Sequence, residues 1–232
     1  MLQFRPAFSL EGREQDWLKA KYHFAVSDKG NQANGPLGAL IVWNDDEIAP
    51  GKGFGFHRHA DMEIITYVRQ GAVTHEDNLG NRGQTFAGDV QVMSAGIGIS
   101  HAERNEGTEP LKLFQIWIRP RSLGGTPRWN TRKFPKADRA GELVLLASGL
   151  QGDTDALSIN ANARVVGATL TKSQRVEYVL EPGRFAYLAP TKGRAVVNGL
   201  SVSTGDGLAA SNERTLLIEA AEDTEFVLVD AA

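Results

Sequence analysis

The chain of 232 residues contains no cysteine, which excludes disulfide bonds, thiolate metal ligands and thiol-based redox chemistry. It has no long run of lysine or arginine, and its 25 basic residues stand against 28 acidic ones, so we expect no direct contact with nucleic acid. No stretch approaches the roughly 18 apolar residues of a membrane-spanning helix, and the first residues do not resemble a signal peptide. We therefore expect a soluble, cytoplasmic protein that makes no membrane contact.

Long helical patterns are also missing. Glycine is abundant, with 25 residues, and turn signals recur about every 8 to 15 residues along the chain. This punctuation predicts an all-β sandwich or barrel, with short helical segments only at 14–21 and 131–134. The predicted strands cover 38–43, 63–68, 111–118, 175–180, 185–188, 194–197, 215–219 and 225–229.

A weak internal repeat divides the chain in two. Gly71 is followed by a predicted strand, a turn, a second predicted strand and a Gly-Asp pair at 88–89. Gly193 is followed by the same order of elements, which ends in a Gly-Asp pair at 205–206. Such a repeat predicts a duplicated β-barrel. Glycine, proline and basic residues over 120–138 indicate a linker, so we predict one domain over 1–125 and a second over 126–232.

Two short motifs contain three of the five histidines. His57-Arg58-His59 and His101-Ala102-Glu103 each place two potential metal ligands two residues apart. On a β-strand this spacing directs both side chains to one face, about 7 Å apart along the backbone. Two such strands facing each other would form a site of three imidazoles and one carboxylate, which suits a divalent transition metal. Because no histidine follows His101, we expect the second domain to be free of metal.

Other interpretations of these residues remain open. The four could be polar residues that share strand parity by chance, but two ligand pairs beside glycine turns favour a metal. A closed structural site is less favoured, because structural zinc sites are rich in cysteine, whereas this ligand set leaves coordination positions open. Glu63 is a reserve ligand, since it keeps the parity of the histidines unless a bulge intervenes. Glu103 could also act as a general base.

Several further residues are predicted to have structural roles. His75, in a charged segment before a turn, is placed at a solvated strand end, and His23 is interpreted as structural. The acidic segment 44–47 has the composition of a turn rather than of a cation site. The tryptophans are expected to pack in the core or between the domains: Trp17, Trp43, Trp117 and Trp129.

Longer motifs bring a known family into view. Gly51-x5-His57-x-His59-x3-Glu63-x7-Gly71 resembles the first motif of cupins, and Gly98-x2-His101-x3-Asn105 resembles the end of the second. More specifically, GFGFHRH at 53–59, DMEIITY at 61–67, the segment 93–105 and QIWI at 115–118 resemble the pirin subfamily of bicupins. The resemblance is specific over about 17–130 and looser after that. It implies two consecutive cupin (jelly-roll type) β-barrels.

The resemblance also implies a site. In pirins an iron in the N-terminal barrel is held by two histidines of the first motif and by a histidine and a glutamate of the second. By motif position these are His57, His59, His101 and Glu103, the same four residues that the spacing selects. Glu63 then has a supporting role. The expected cofactor is one divalent transition metal, with Fe(II) favoured.

Two functions follow as hypotheses. The resemblance and the open ligand set favour an Fe-dependent dioxygenase of the quercetin 2,3-dioxygenase type, with Glu103 as catalytic base and a small aromatic substrate such as a flavonol. A pocket mouth formed by Phe54, Phe56, Met62 and Phe114 would fit a flat aromatic ligand. The alternative is a regulatory protein whose metal reports redox state and whose surface binds a transcription factor or a metabolic enzyme. We expect a monomer.

Overall fold

A computed structural model describes residues 1–134 and 140–232, and almost all of its regular structure is β. The strands before the gap are β1 (Leu2–Arg5), β2 (Gly12–Glu14), β3 (Leu18–Tyr22), β4 (Leu40–Ile48), β5 (Gly53–His59), β6 (Glu63–Gln70), β7 (Ala72–Asp77), β8 (Arg82–Phe86), β9 (Val90–Ser94), β10 (Ile99–Arg104), β11 (Leu111–Ile118) and β12 (Arg128–Arg132). Those after the gap are β13 (Val144–Ser148), β14 (Leu157–Ser158), β15 (Ala163–Leu170), β16 (Arg175–Val179), β17 (Phe185–Lys192), β18 (Arg194–Val197), β19 (Leu200–Ser203), β20 (Gly207–Ser211), β21 (Thr215–Ala220) and β22 (Thr224–Ala231).

The strands form two jelly rolls of matching topology. The first pairs a seven-stranded sheet, β12-β9-β6-β11-β4-β3-β2, with a four-stranded sheet, β5-β10-β7-β8. The second pairs β1-β20-β17-β22-β15-β13-β14 with β16-β21-β18-β19. From β4 to β11, each strand has its counterpart eleven strands later in the same sheet position. The predicted all-β bicupin is confirmed, with jelly-roll sheets that do not close into barrels.

The two halves exchange their edge strands. β1 pairs with β20 of the second half, with Leu2 opposite Ala210, and β12 pairs with β9 of the first half, with Arg128 opposite Ser94. β1 and β12 hold equivalent sheet positions, so each half lends one strand to the other. The predicted domain boundary at residue 125 stays a prediction. Each of these two strands is on one side of that boundary in sequence and pairs with a strand from the other side. Part of the predicted linker is β12, and its end at Asp138 falls outside the described residues.

The largest core lies between the two seven-stranded sheets. Ile65, Phe114 and Ile116 from the first half pack in one cluster with Tyr187 and Val227 from the second. The central strands β6 and β11 are therefore buried on both faces, one towards this interface and one towards the inside of the first jelly roll.

His23 lies in the same interface. It is fully buried, and its Nδ1 is 2.7 Å from the hydroxyl of Tyr187, while its carbonyl oxygen accepts a hydrogen bond of 2.6 Å from Arg5. Burial, with the charges of Arg5 and Arg69, lowers the pKa of His23 to about 3. These contacts between the halves agree with a structural role.

Both predicted helical segments are wrong. Residues 14–21 contain the end of β2, the connection at 15–17 and most of β3. In β3, Lys19 and Lys21 alternate outward while Leu18 and Ala20 are buried, and the strand pairs with β4. Thr131 lies in β12, which covers the open edge of β9. Within the described ranges the one helix is a 3-10 turn at Ala7–Ser9, and no helix there is long and apolar enough to cross a membrane.

The prediction of a turn at the acidic segment 44–47 is wrong, because these residues lie within β4. Opposite charges on both sides permit this: Asp45 pairs with Arg69, and Glu47 pairs with Lys19 and with Lys112. Asp46 points to the other face and is buried inside the first jelly roll.

Candidate metal centre

The site lies on the four-stranded sheet of the first jelly roll, where β5 and β10 pair. His101 is directly opposite His57 in this ladder, and His59 follows two residues later on β5. One ring nitrogen from each of the three histidines lies within 4.8 Å of the others. The ring centroids are 4.5 Å apart for His57 and His101, 4.8 Å for His57 and His59, and 5.2 Å for His59 and His101. The structure thus brings the three predicted histidines together.

A bulge on β5 shapes the edge of the site. Between His101 and Glu103 the chain of β10 advances two residues, while their partners on β5, His57 and Phe54, are three residues apart. The extra residue places Phe54 on the pocket side, and Phe56 points outward, with 54% of its surface exposed. The expectation that Phe56 lines the pocket is therefore wrong.

Glu103 is buried and held by polar side chains from three strands. Its Oε1 accepts hydrogen bonds from Nε2 of Gln91 at 2.5 Å and from the hydroxyl of Thr66 at 3.2 Å. Its Oε2 accepts one from Nε2 of Gln115 at 2.7 Å. Because a carboxylate has about four lone-pair sites, one remains for a metal ion or for a proton from a ligand.

His75 is buried, which contradicts its predicted place at a solvated strand end. Along β7, Val73, His75 and Asp77 face inward, and Glu76 is the one exposed residue of the strand. The charged residues beside His75 suggested a solvated segment, although the side chains alternate between the two faces of a strand. His75 is opposite Glu103 in the ladder between β7 and β10. Ligand atoms of His75, His101 and Glu103 lie within 4.8 Å of one another, so two groups of potential ligands share His101.

Two of the three histidines have lowered pKa values, which favours the neutral form that binds a metal ion. Burial, followed by the charges of neighbouring histidines, lowers the pKa of His59 to about 4 and that of His101 to about 3. Both rings are therefore neutral at pH 7, as metal ligands must be. Nδ1 of His57 lies 2.8 Å from the carbonyl oxygen of Gly55 and donates to it, so Nε2 is the ring nitrogen available to a metal ion.

The residues fit a metal ion. In the described part of the chain, neither ring nitrogen of buried His101 has a hydrogen-bond partner. Buried polar atoms without partners are uncommon in folded proteins, and a ring nitrogen that faces two other histidines would be satisfied by coordination. Three imidazoles and a carboxylate are donors of the kind that Fe, Ni, Cu and Zn accept.

Beside the histidines is a cavity of about 110 Å³. Of the predicted aromatic mouth only Phe54 lines it: Phe114 is buried in the interface between the halves, and Met62 packs against the cluster around Ile64. A second cavity of about 200 Å³ shares four lining residues with the first and extends over β3 and β4 to Arg13 and Lys29. The remaining residues of the first cavity are Asn44, Asp46, Ile64, Gln115 and Trp117.

Sequence reasoning missed several of these lining residues. Trp117, expected only in packing, stands over His59 with ring centroids 5.0 Å apart. Burial, together with the charges of Asp45 and Glu103, raises the pKa of Asp46 to about 8. The alternation of Gln115 and Trp117 with Phe114 and Ile116 on a central strand was the available signal, because such a strand has one face on each side of the sheet.

Glu63 lies outside the histidine groups. It begins β6 in the seven-stranded sheet, whereas the two histidines of the first motif are in the four-stranded sheet, and Asp61, with φ of 50°, turns the chain between them. Glu63 therefore does not continue the strand of the two histidines, and the shared strand face that made it a reserve ligand is absent. Its Oε2 accepts a hydrogen bond of 2.7 Å from Ser94, and burial raises its pKa against the effect of that bond. It lines a separate cavity of about 360 Å³ that also contains Asn160 of the second half.

Comparison with known proteins extends over the whole chain. Residues 4–118 match the family model described as Pirin, and residues 145–231 match the one described as Quercetinase C-terminal cupin domain. The chain is 53% identical over 232 residues to a pirin-like protein of Caulobacter vibrioides, covering 100% of both. It is 37% identical over 231 residues to quercetin 2,3-dioxygenase of Escherichia coli, covering 99% of this chain and 98% of that protein. A crystal structure of the bacterial pirin YhhW from E. coli in complex with nickel(II) has a TM-score of 0.92 at 35% identity, covering 100% of this chain and 99% of that one.

Proposed function

The chain belongs to the pirin family, and on that premise we propose that it is a metal-dependent dioxygenase of the quercetin 2,3-dioxygenase type. The metal is held by His57, His59, His101 and Glu103, and Fe(II) is the ion we favour. The observation that carries the proposal is the convergence of His57, His59 and His101, with both ring nitrogens of His101 buried and without a hydrogen-bond partner among the described residues. The relative that is named quercetin 2,3-dioxygenase and the relative that holds nickel(II) support the reaction class and a divalent ion, respectively.

A divalent ion at this position supplies positive charge that stabilises a deprotonated substrate oxygen and supplies the redox chemistry for dioxygen. Side chains of the protein provide the general base and hold it in position. Glu103 would hold the ion through its one free lone pair and, once released from the ion, would take the proton of the substrate hydroxyl on that same lone pair. Gln91 and Gln115 hold the carboxylate in place by their amide donors, so the base is oriented before the substrate arrives.

The shape of the pocket supports a flat aromatic substrate. The cavity at the histidines, about 110 Å³, is smaller than the roughly 300 Å³ and more of typical ligand pockets, so it holds only the reacting edge. The adjoining cavity of about 200 Å³ takes the remaining ring between apolar walls that include Val42, Phe54 and Trp117. Arg13 and Lys29 at its far end favour polar or anionic substituents there.

The test is elemental analysis of the purified protein, followed by anaerobic Fe(II) loading and oxygen uptake with quercetin. We expect about one metal ion per chain and uptake that depends on substrate. In His101→Ala both are lost. In Glu103→Gln turnover falls by about 100-fold or more, because a positioned base contributes roughly 10²- to 10⁴-fold, while some metal remains bound.

His23→Asn is the matched control, since it removes a buried histidine outside the site, and it should retain metal and uptake. Absence of metal from the wild-type protein after loading would refute the ligand assignment. Metal without quercetin-dependent uptake would favour the alternative regulatory function. That alternative, a protein partner, the monomeric state and the cytoplasmic location stay predictions.

A further inference from the structure

Three neighbouring buried nitrogens have no hydrogen-bond partner among the described residues: Nδ1 of His75 and both ring nitrogens of His101. The two rings are close, with centroids 5.3 Å apart, and both side chains project from neighbouring strands towards the inside of the first jelly roll. An unpartnered polar atom in a protein interior costs free energy, so three together require an explanation. Metal coordination accounts for only one of them.

Asp77 determines which nitrogen of His75 carries the proton. Its Oδ1 accepts hydrogen bonds from the backbone N–H groups of Leu79 and Asn81, and its Oδ2 accepts one from the amide of Asn81. A carboxylate used in this way is an acceptor, so Nε2 of His75, 3.0 Å from Oδ2, is the donor. In the neutral ring this tautomer leaves Nδ1 of His75 with a lone pair and no proton.

His101 has the complementary need. A neutral imidazole that gives one nitrogen to a metal carries its proton on the other nitrogen, and ligating histidines generally donate that N–H to a second group that fixes the ring. We propose that His75 is a positioning residue for the metal centre: its Nδ1 accepts the N–H of metal-bound His101, with Asp77 anchoring the far side of the ring. This inference rests on the proposed role of His101 as a ligand.

The surroundings of His75 make it a rigid support. Its ring stacks on Trp129, with centroids 4.7 Å apart and planes at 4°, and it is fully buried. Gly83, opposite His75 on β8, leaves room for this tryptophan, because a Cβ there would lie 2.6 Å from the indole ring. Trp129 comes from the lent strand β12 and donates from Nε1 to Gln91 at 3.3 Å. The same indole thus contacts both the support of His101 and a residue that holds Glu103.

The test compares two substitutions that differ in the acceptor. His75→Leu removes Nδ1, whereas the carboxamide oxygen of His75→Asn can occupy its place. We expect the dissociation constant for Ni(II), measured by competition with a chelator, to rise about 10- to 100-fold in the leucine variant and to stay within about three-fold of wild type in the asparagine variant. The visible spectrum of bound Co(II) should change in the leucine variant only.

Thermal unfolding of the metal-free proteins separates positioning from general structure. A residue with only a structural role would lower the unfolding temperature of His75→Leu and leave the Co(II) spectrum of the folded protein unchanged, and that result would overturn the proposal. Equal Ni(II) affinity in wild type and His75→Leu would also overturn it, whereas a wild-type protein that binds no metal would refute the proposed function itself.

A readout on the unaltered protein completes the test. In the zinc-loaded wild type, long-range ¹H–¹⁵N correlation spectra of the histidine rings should show His75 protonated at Nε2. A proton on Nδ1 would exclude its role as acceptor. A crystal structure of the nickel-loaded protein with the metal directly on His75 would replace the positioning role by a ligand role and would equally contradict the proposal.

Discussion

The two jelly rolls share one strand order but fill the space between their sheets with opposite chemistry. In the first, β10 directs His101 and Glu103 inward, and β5 contributes His57 and His59. In the second, the corresponding strand β21 buries apolar side chains, and the strand in the position of β5 buries Tyr178. Those apolar side chains are Leu216, Ile218 and Ala220.

The difference separates what the fold does from what the side chains do. In the second half, aliphatic side chains fill the space between the two sheets, and such side chains need no hydrogen-bond partner or ligand. Among the described residues, the buried polar atoms of the first half that have no hydrogen-bond partner include the ring nitrogens of His101, Nδ1 of His75 and Oδ1 of Asp46. The same scaffold therefore serves as a packed core in one copy and as a ligand site in the other.

Making the first half resemble the second should have the largest effect. In His101→Leu we expect the affinity for Ni(II) to fall by about three orders of magnitude or more, because each ligand of a metal site contributes a few kcal/mol of binding free energy. The metal-free variant should be at least as stable to urea as wild type, since an unpartnered buried imidazole is replaced by an aliphatic side chain. A leucine variant that binds nickel normally would contradict the assignment of His101.

Weakening the second half should change stability without changing the metal. Ile218→Ala removes a fully buried side chain from the core of the second jelly roll, and we expect a loss of about 3 kcal/mol in the free energy of unfolding in urea. Its Ni(II) affinity should equal that of wild type below the unfolding transition. A loss of nickel binding in the folded variant would show that the two halves are coupled.

The interface between the halves should give a smaller effect, which depends on pH. The unfolded chain protonates His23 near pH 6.5, whereas the folded protein keeps it neutral down to about pH 3, so stability is lost as the pH falls through this range. Between pH 7 and pH 5 this residue alone should account for about 2 kcal/mol.

The measurement is the difference in urea unfolding free energy between pH 7 and pH 5, for the metal-free wild type and for metal-free His23→Asn. Both proteins retain the histidines of the metal site, so those contributions cancel in the comparison. An equal loss in the two proteins would show that His23 does not titrate in this way.

The sequence was sufficient to predict the duplicated β architecture and the meeting of the three histidines. Short runs between glycine turns predicted β11 and β18 with their observed limits, and two i, i+2 pairs on strands are enough to bring His57, His59 and His101 together. The placement of Glu103 as a fourth ligand stays a prediction, and in the structure its carboxylate lies within 4.8 Å of a ring nitrogen of His75 and of one of His101.

What the sequence could not reveal depends on long-range contacts. Acidic residues at 44–47 indicate a turn unless one knows that Lys112 arrives on the neighbouring strand β11 and Arg69 on β6, the next strand beyond it. The burial of His75 depends on the arrival of Trp129 from β12, more than fifty residues away in the chain. The bulge that directs Phe56 outward has no local signal apart from the glycines at 53 and 55.

The exchange of edge strands also determines when this fold can be completed. During synthesis the first half emerges early, but its sheet edge at β9 stays open until β12 follows, and β1 has no partner until residues near Ala210 are available. Pairing over such a distance in the chain is slow, and open strand edges invite association with other chains in the meantime. A chain cut between the halves would leave an uncovered edge on each piece. The exchange therefore makes the completion of each seven-stranded sheet depend on a strand from the other half, and β1 can pair only after β20 has been synthesised.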